Sequence, residues 1–297
     1  MSLENINLGE ILSSIRIYKN IEVEELAKDI CTVDEMILFE KGKQYPTLEV
    51  LAKIAEKLNV DLSYFFTFSA TGSFNYVVGV LDLIKKYKRD RNYNAIYEIV
   101  KREQNNPEFM HQSNKQFLLW HEGICIYYLY GDKDKAYELL KTAIELTNLN
   151  NNNFTEREIE ILTSLAIIEK DNANYERATK LCLEAYESLN KLPHLIDFTL
   201  RLRVLYALSQ LLTRKGELEE SLKYSLEGIK YCINNESLYL LGELYYQSGE
   251  NYLRSGCTEK GRKYINNAIT VFELQENNTY VQLVKSEIEK ISNNGNI

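Results

Sequence analysis

The chain has 297 residues, of which 45% are hydrophobic and 26% charged, and a formal net charge of −8 at pH 7. This length suffices for about two domains with sizeable cores. No apolar run approaches the roughly 18 residues that a membrane span needs, and the amino terminus lacks the pattern of a secretory signal. We therefore expect a cytoplasmic protein with no membrane partner. The five cysteines are widely spaced and form no CxxC pair, which argues against a disulfide framework or a zinc site.

Apolar residues recur at spacings of three and four positions almost from end to end, and the chain has only three prolines. Leu8, Ile11, Leu12 and Ile15 make the first of these stripes. No stretch alternates in the manner of a β-strand. The pattern predicts an all-α fold.

A break in composition divides the chain at "TFSATGSFN", residues 67–75, where small and polar residues interrupt the helical pattern. It predicts an N-terminal domain over residues 1–68, a linker over 69–75 and a C-terminal domain over 76–297. In the N-terminal domain we expect five short helices, at about residues 8–19, 23–30, 33–41, 47–58 and 61–66.

The C-terminal domain contains a repeat, in which pairs of small residues seven positions apart recur at intervals of 40 to 43 residues. The pairs are Ala136 and Ala143, Ala178 and Ala185, Ser221 and Gly228, and Gly261 and Ala268. Seven residues make two helical turns, so each pair lies on one face and lets a neighbouring helix approach closely. The period predicts stacked helical hairpins.

One repeat can be compared position by position with a known pattern. If Ala136 is the twentieth position, Trp120 is the fourth, Tyr127 the eleventh and Ala143 the twenty-seventh. Tetratricopeptide repeats keep Trp, Tyr and Ala at these positions. The C-terminal domain therefore resembles a tetratricopeptide array, which implies a right-handed superhelix of about five degenerate repeats.

In a tetratricopeptide stack, the second, fifth, ninth and twelfth positions of each first helix face the concave side. Here they mix aromatic, amide and charged side chains, which suits an extended peptide that needs backbone hydrogen bonds and side-chain pockets. The candidate peptide contacts at these positions are His121, Tyr128, Thr163, Ile167, Tyr206, Gln210, Tyr246 and Glu250.

The N-terminal domain resembles the phage-repressor-type helix-turn-helix through "LGEILSSIR", "EELAKDI", "FEKGKQYPTLEVLAKIAEKLNV" and "DLSYFF", which cover nearly all of residues 8–66. The resemblance implies a structural ion pair between Arg16 and Glu40. It also implies that the third helix reaches DNA bases, here with Val33, Asp34, Ile37 and Leu38. The candidates for phosphate contacts in the following turn are Lys41, Lys43, Gln44 and Tyr45.

The third helix carries acids where a DNA-binding surface usually presents basic groups. Thr32 and Glu35 have the spacing of a capping box, and Asp34 and Glu35 lie in the first turn, where the helix dipole favours negative charge. Helix initiation thus explains much of the acidity. Residues 1–68 nevertheless hold seven Lys and Arg against twelve Asp and Glu. DNA binding remains the favoured interpretation, with an affinity that depends on salt and on dimerisation.

Joined in this order, the two domains resemble the peptide-responsive quorum-sensing regulators of Gram-positive bacteria, and most closely the PlcR group. The similarity is strongest in "NYNAIYEIV", "QFLLWHEGI" and "LLGELYYQSGENYL". It implies a homodimeric transcription regulator that binds double-stranded DNA at a palindromic operator and a short signalling peptide. Arg89 and Arg91 match basic residues of PlcR-like proteins and are candidates to bind an acidic side chain or the peptide carboxylate. Tyr280 matches a C-terminal tyrosine.

Catalysis has little support in the sequence. His111, His121 and His194 are isolated, and no HExxH, GxSxG or GxxxxGK pattern occurs. We expect neither an enzyme nor a cofactor. The alternative function is a tetratricopeptide protein-interaction adaptor whose acidic helix-turn-helix no longer binds DNA. Selective retention of duplex DNA at low salt would separate the two.

Overall fold

A computed structural model of the chain describes residues 8–63, 65, 72–148 and 153–294. Within these ranges the chain forms α-helices, one 3-10 turn and no strand, which confirms the all-α prediction. None of the described helices is long and apolar enough to cross a membrane. The chain divides into two compact units, the first ending at Met110 and the second beginning at His111.

Four short helices open the first unit: α1 (Leu8–Tyr18), α2 (Val23–Ala27), α3 (Val33–Glu40) and α4 (Leu48–Lys57). Their apolar faces form one core that includes Leu12, Leu26, Met36 and Ile54, all fully buried. Gly9 allows α1 to approach the end of α3, because a Cβ atom at Gly9 would lie 2.3 Å from the carbonyl oxygen of Phe39. The fifth predicted helix, at about 61–66, includes residues 64 and 66, which lie outside the described ranges.

The second helix is shorter than predicted. α2 ends at Ala27 rather than near residue 30, because Lys28 has a ψ of 129° and Asp29 has a φ of 64°. A left-handed residue cannot continue a right-handed helix, and Asp tolerates this conformation better than most side chains do. The tight connection from Lys28 to Thr32 then leads into α3.

The remaining helices of the described residues come in five pairs, followed by a single helix at the C-terminal end of the series. The first unit contains α5 (Gly72–Arg89) and α6 (Tyr93–Glu103), followed by a 3-10 turn at Pro107–Phe109. The second unit contains α7 (Gln112–Tyr130), α8 (Lys133–Thr147), α9 (Glu156–Asp171), α10 (Tyr175–Lys191), α11 (Phe198–Lys215), α12 (Leu218–Asn234), α13 (Leu241–Arg254), α14 (Thr258–Leu274) and α15 (Asn278–Asn294). α5 begins inside the predicted linker, of which residues 69–71 lie outside the described ranges, as do residues 149–152 of an asparagine-rich loop.

Turns of two or three residues join the two helices of each pair from α5 to α14. Each turn contains one residue with positive φ: Arg91, Gly131, Ala173, Gly216 or Gly256. Such short connections hold neighbouring helices antiparallel. The pairs α5–α6, α7–α8, α9–α10, α11–α12 and α13–α14 are therefore helical hairpins.

The small residues of the repeat lie on the second helix of each hairpin and are buried. Ala136, Ala143, Ala178, Ala185 and Ala268 are each 0% exposed. At Gly261 an added Cβ atom would lie 2.6 Å from Cδ2 of Leu253 and 3.0 Å from its backbone nitrogen. The helices are thus close enough that only small side chains fit between them, as the spacing predicts.

Candidate functional site

The second unit contains a groove of about 770 Å³. Its walls come from the end of α9, the start of α10 and the facing sides of α11, α13 and α15, with one ring from α14. The lining residues are Lys170, Asp171, Tyr175, Tyr206, Gln210, Thr213, Arg214, Glu243, Tyr246, Gln247, Glu250, Arg254, Phe272, Tyr280, Leu283 and Val284.

Five of the predicted peptide contacts line this groove together: Tyr206, Gln210, Tyr246, Glu250 and Tyr280. The first two lie on α11, the next two on α13 and the last on α15. The repeat spacing therefore identified corresponding faces of two successive first helices. The match of Tyr280 to a family tyrosine added a residue on a helix outside the hairpin series.

Two other candidates are packed inside the helical stack. His121 is 1% exposed, and its ring centroid lies 4.1 Å from that of Phe117 and 4.4 Å from that of Trp120. Its Nδ1 atom is 2.9 Å from the carbonyl oxygen of Phe117. Thr163 is 6% exposed and donates its hydroxyl to the carbonyl oxygen of Ile159 at 2.8 Å. Neighbouring rings and backbone thus enclose both side chains within the helical stack.

The remaining candidates lie at the surface. Tyr128 is exposed and Ile167 half-buried, and neither lines the groove. Arg89 is exposed at the end of α5, and Arg91 is exposed in the turn that follows it. The two arginines belong to the first compact unit, whereas the groove belongs to the second.

A chain of hydrogen bonds crosses one wall of the groove. Lys170 Nζ donates to Gln210 Oε1 at 3.3 Å, and Gln210 Nε2 donates to the hydroxyl of Tyr206 at 2.7 Å. Burial raises the pKa of Tyr206, and the nearby carboxylate of Glu243 raises it further. The phenol therefore stays protonated and can donate a hydrogen bond to a ligand.

A second chain joins the groove to the buried interior. Gln247 Nε2 donates to Glu250 Oε2 at 3.1 Å and to Thr213 Oγ1 at 2.8 Å. Arg254 Nη2 pairs with Glu250 Oε1 at 2.6 Å. The hydroxyl of Thr213 donates to Oδ1 of the buried Asn251 at 2.7 Å. A ligand that displaces Glu250 or Gln247 would therefore disturb polar contacts between α11 and α13.

The carboxyl group of Glu243, on α13, is less fully hydrogen-bonded than that of Glu250. The Oε2 atom of Glu243 is buried and has no hydrogen-bond partner among the described residues. Burial raises the pKa of this carboxyl group. A buried carboxylate oxygen without a hydrogen-bond partner is costly to a fold.

Apolar side chains from the last two helices form one end of the groove. The ring of Tyr280 lies 5.1 Å from that of Phe272, and Leu283 and Val284 continue the surface. Leu283 and Val284 were not predicted, because the repeat register gives positions only on the first helix of each repeat. Their spacing of three and four positions from Tyr280 places them on the same helical face and was a usable signal.

Three of the four predicted base contacts, Asp34, Ile37 and Leu38, lie on the outward face of α3, whereas Val33 packs against the core. Met36 and Phe39 are buried in the core, while Asp34 and Leu38 are exposed and Val33 and Ile37 are half-buried. The predicted phosphate contacts, Lys41, Lys43, Gln44 and Tyr45, are all exposed in the segment that follows. The helix ends at this segment because Gly42 adopts a φ of 65°.

Two devices fix α3. The Glu35 amide donates to Thr32 Oγ1 at 3.2 Å, and the Thr32 amide donates to Glu35 Oε2 at 2.9 Å, which is the predicted capping box. Hydrogen bonds from Thr32 hold the pKa of Glu35 below its ordinary value. At the other end, Arg16 Nε and Nη2 donate to the two carboxylate oxygens of Glu40 at 2.6 and 2.9 Å. This bidentate pair ties α1 to the end of α3.

Three examples represent the solved structures that share the fold of this chain. PlcR of Bacillus thuringiensis, in complex with the peptide PapR7 and DNA, has 23% sequence identity and a TM-score of 0.77 over 94% of this chain and 98% of that chain. ComR of S. thermophilus, with DNA and its signalling peptide ComS, has 13% identity and a TM-score of 0.64 over 96% and 99%. The Streptococcus dysgalactiae pheromone receptor Rgg2 has 15% identity and a TM-score of 0.65 over 96% and 99%.

A family model gives the assignment. No curated protein sequence matches the chain significantly. Residues 82–291, however, match the model described as the RNPP family C-terminal domain, which accounts for most of the chain and includes all the residues that line the groove. The resemblance drawn from the sequence is thereby confirmed, and the chain belongs to the RNPP family.

Proposed function

We propose that this protein is a transcription regulator that binds duplex DNA through α3 and is controlled by a short signalling peptide bound in the groove between α11, α13 and α15. The observation that carries the proposal is the groove, which combines hydrogen-bonding side chains with an apolar end. An extended peptide needs both kinds of contact. PlcR and ComR, which share the fold, were each solved with DNA and a peptide.

The DNA-binding half of the proposal rests on the exposed face of α3. Asp34 can accept a hydrogen bond from a cytosine amino group, and Ile37 and Leu38 can contact thymine methyl groups. Lys41 and Lys43 supply positive charge for phosphates, and Gln44 and Tyr45 can donate hydrogen bonds to them. One such helix reads a single half-site, so we infer a homodimer on a palindromic operator.

Genome-wide recovery of DNA crosslinked to the full-length protein in its host tests both halves at once. Cells are grown with and without medium conditioned by a dense culture, which supplies the secreted peptide. We expect a small set of discrete palindromic sites whose occupancy changes with the medium. The variant Tyr246→Ala should bind the same sites as the wild type in unconditioned medium and respond more weakly to conditioned medium.

A matched control is Tyr128→Ala, which removes an exposed tyrosine that does not line the groove. It should respond to medium as the wild type does. Recovery no better than from cells without the protein would contradict DNA binding and favour the adaptor function. Discrete sites that ignore the medium in every variant would contradict peptide control alone.

A further inference from the structure

The groove contains one carboxylate whose charge the fold leaves uncompensated. Glu243 lines the groove from α13, and its Oε2 atom is buried without a hydrogen-bond partner among the described residues. The other acid of α13 in the groove is satisfied, because Glu250 receives a hydrogen bond from Gln247 and pairs with Arg254 at 2.6 Å. Glu250 therefore has a hydrogen bond and an ion pair within the protein, whereas Glu243 Oε2 lacks a hydrogen-bond partner among the described residues.

Cations on the helices that line the groove pair with other groups or remain at the surface. Lys170 donates to Gln210 and lies 4.0 Å from Asp171. Arg203, on α11, pairs with Glu160 at 2.6 Å and with Asp197 at 3.1 Å. Arg214 lines the groove but is exposed. Among the described residues, no Lys or Arg forms an ion pair with Glu243.

We infer that the ligand of this groove carries a positively charged group, an ammonium or a guanidinium, that pairs with the carboxylate of Glu243. The inference rests on the proposed function and specifies the chemistry of the peptide. The terminal torsion of a Glu side chain is broad, so a modest rotation presents either carboxylate oxygen to the groove. A cationic ligand group would then supply the hydrogen bonds that the fold leaves out.

The effect of Glu243 on the stability of the ligand-free protein can be measured without any ligand. A buried, unpaired carboxylate destabilises a fold, whereas a neutral isostere at the same place does not carry that penalty. Glu243→Gln should therefore leave the melting temperature of the free protein unchanged or raise it. A residue that only supported the fold would show the opposite, a fall in melting temperature on substitution.

The ligand itself can be replaced by a random heptapeptide pool. The pool is prepared in two forms, with free and with acetylated amino termini, and each is passed over immobilised full-length protein. Retained peptides are sequenced by mass spectrometry. The proteins compared are the wild type, Glu243→Gln, and the control Glu184→Gln, which removes an exposed carboxylate of α10 that does not line the groove.

We expect the wild type and Glu184→Gln to retain cationic peptides about tenfold more than uncharged ones, a typical effect of one hydrogen-bonded charge pair. Enrichment of Lys or Arg in the acetylated pool would identify a side chain as the cation. Loss of retention on acetylation, without such enrichment, would identify the terminal ammonium. Glu243→Gln should still retain peptides but lose the preference in either case.

Two results would overturn the inference, and they differ in what else they reject. If peptides are retained but neither Lys, Arg nor a free terminus is preferred, the cation at Glu243 is wrong and the peptide groove stands. If no peptide in either pool is retained above the level of a blank support, the peptide groove fails and the inference fails with it.

Discussion

Asp34 and Glu35 show how a single helix turn can serve two tasks at the residue scale. Glu35 forms the capping box with Thr32, so its carboxylate accepts a hydrogen bond from the Thr32 backbone amide. Asp34 is exposed on the face that we propose meets DNA. Acidic side chains there lower the electrostatic contribution to DNA affinity, so the exposed lysines after α3 become correspondingly important.

Substitution of Lys43 tests whether the exposed lysines after α3 contact DNA phosphates. Lys43→Glu should weaken binding to all duplex sequences, because a phosphate contact is lost and a repulsive charge is added. The slope of log affinity against log salt should fall by about one or more. Fluorescence anisotropy with a labelled duplex at several salt concentrations measures both quantities.

The control for Lys43 is Lys19→Glu, which makes the same charge change at an exposed residue after α1 that is not a predicted phosphate contact. Its effect on affinity should be small at physiological salt. If the two variants bind DNA equally well, Lys43 makes no phosphate contact.

Glu103 is a buried carboxylate with the opposite character to Glu243. It accepts hydrogen bonds from Tyr76, Arg102 and Asn106, each at 2.7 Å. Burial alone would raise its pKa, but these hydrogen bonds outweigh it and hold the pKa below the ordinary value of 4.5. The free energy that Glu103 contributes to folding is therefore fully present above about pH 5 and is lost as the pH falls through the lowered pKa.

Glu103→Gln should remove this contribution and with it part of the acid sensitivity. At pH 7 we expect a loss of roughly 1–2 kcal/mol, because the amide replaces one acceptor oxygen by a donor. The difference from the wild type should shrink as the pH falls well below 4.5. Urea unfolding at a series of pH values measures it, with the exposed Glu98→Gln as control. A difference independent of pH would contradict the assigned role.

At the scale of the helices, the repeat is held together by small residues at the contact between paired helices. Gly261 and Gly79 make the point because both lie within helices but in opposite surroundings. A Cβ atom at Gly261 would meet Leu253 at 2.6 Å, whereas a Cβ atom at Gly79 would meet nothing within 4 Å. The same substitution should therefore have opposite effects.

Gly79→Ala should stabilise the protein by up to about 1 kcal/mol, because alanine favours the helix and nothing obstructs it. Gly261→Ala should destabilise it by roughly 1–3 kcal/mol, because α13 and α14 must move apart to admit the methyl group. Thermal unfolding followed by circular dichroism compares both with the wild type. Destabilisation of similar size by both variants would show that glycine is needed for backbone conformation and not for packing.

For the molecule as a whole, periodic features of the sequence proved the most predictable. The three- and four-residue spacing yields the helices, and the repeat of small residues yields the hairpins, because both patterns reflect contacts between nearby segments. The end of α2 was missed by about three residues, since the left-handed Asp29 leaves no periodic signal.

The groove was predictable only in part, for a physical reason. Tyr206, Gln210, Tyr246 and Glu250 follow from the repeat register, which places corresponding helix faces together. His121 and Thr163 occupy the same register, but rings or backbone next to them enclose both. Register specifies the direction of a side chain but not what covers it. The unsatisfied state of Glu243 depends on the partners that its neighbours choose, which no pattern in the sequence reveals.

For the whole chain, we predict that peptide binding in the groove and DNA binding change each other's affinity. If a peptide changes the affinity for the operator by some factor, thermodynamic linkage requires DNA to change the peptide affinity by the same factor, typically about 5- to 150-fold. Calorimetric titration of peptide with and without operator, and anisotropy titration of operator with and without peptide, measure the two factors.

Tyr246→Ala separates the groove from the output of this linkage. We expect peptide affinity to fall roughly tenfold, as for a buried tyrosine at an interface, while operator affinity without peptide stays at the wild-type value. At saturating peptide, the variant should approach the wild-type operator affinity, because Tyr246 affects occupancy and not the coupled states. An operator affinity that changes in the absence of peptide would mean that Tyr246 biases the two states of the regulator directly.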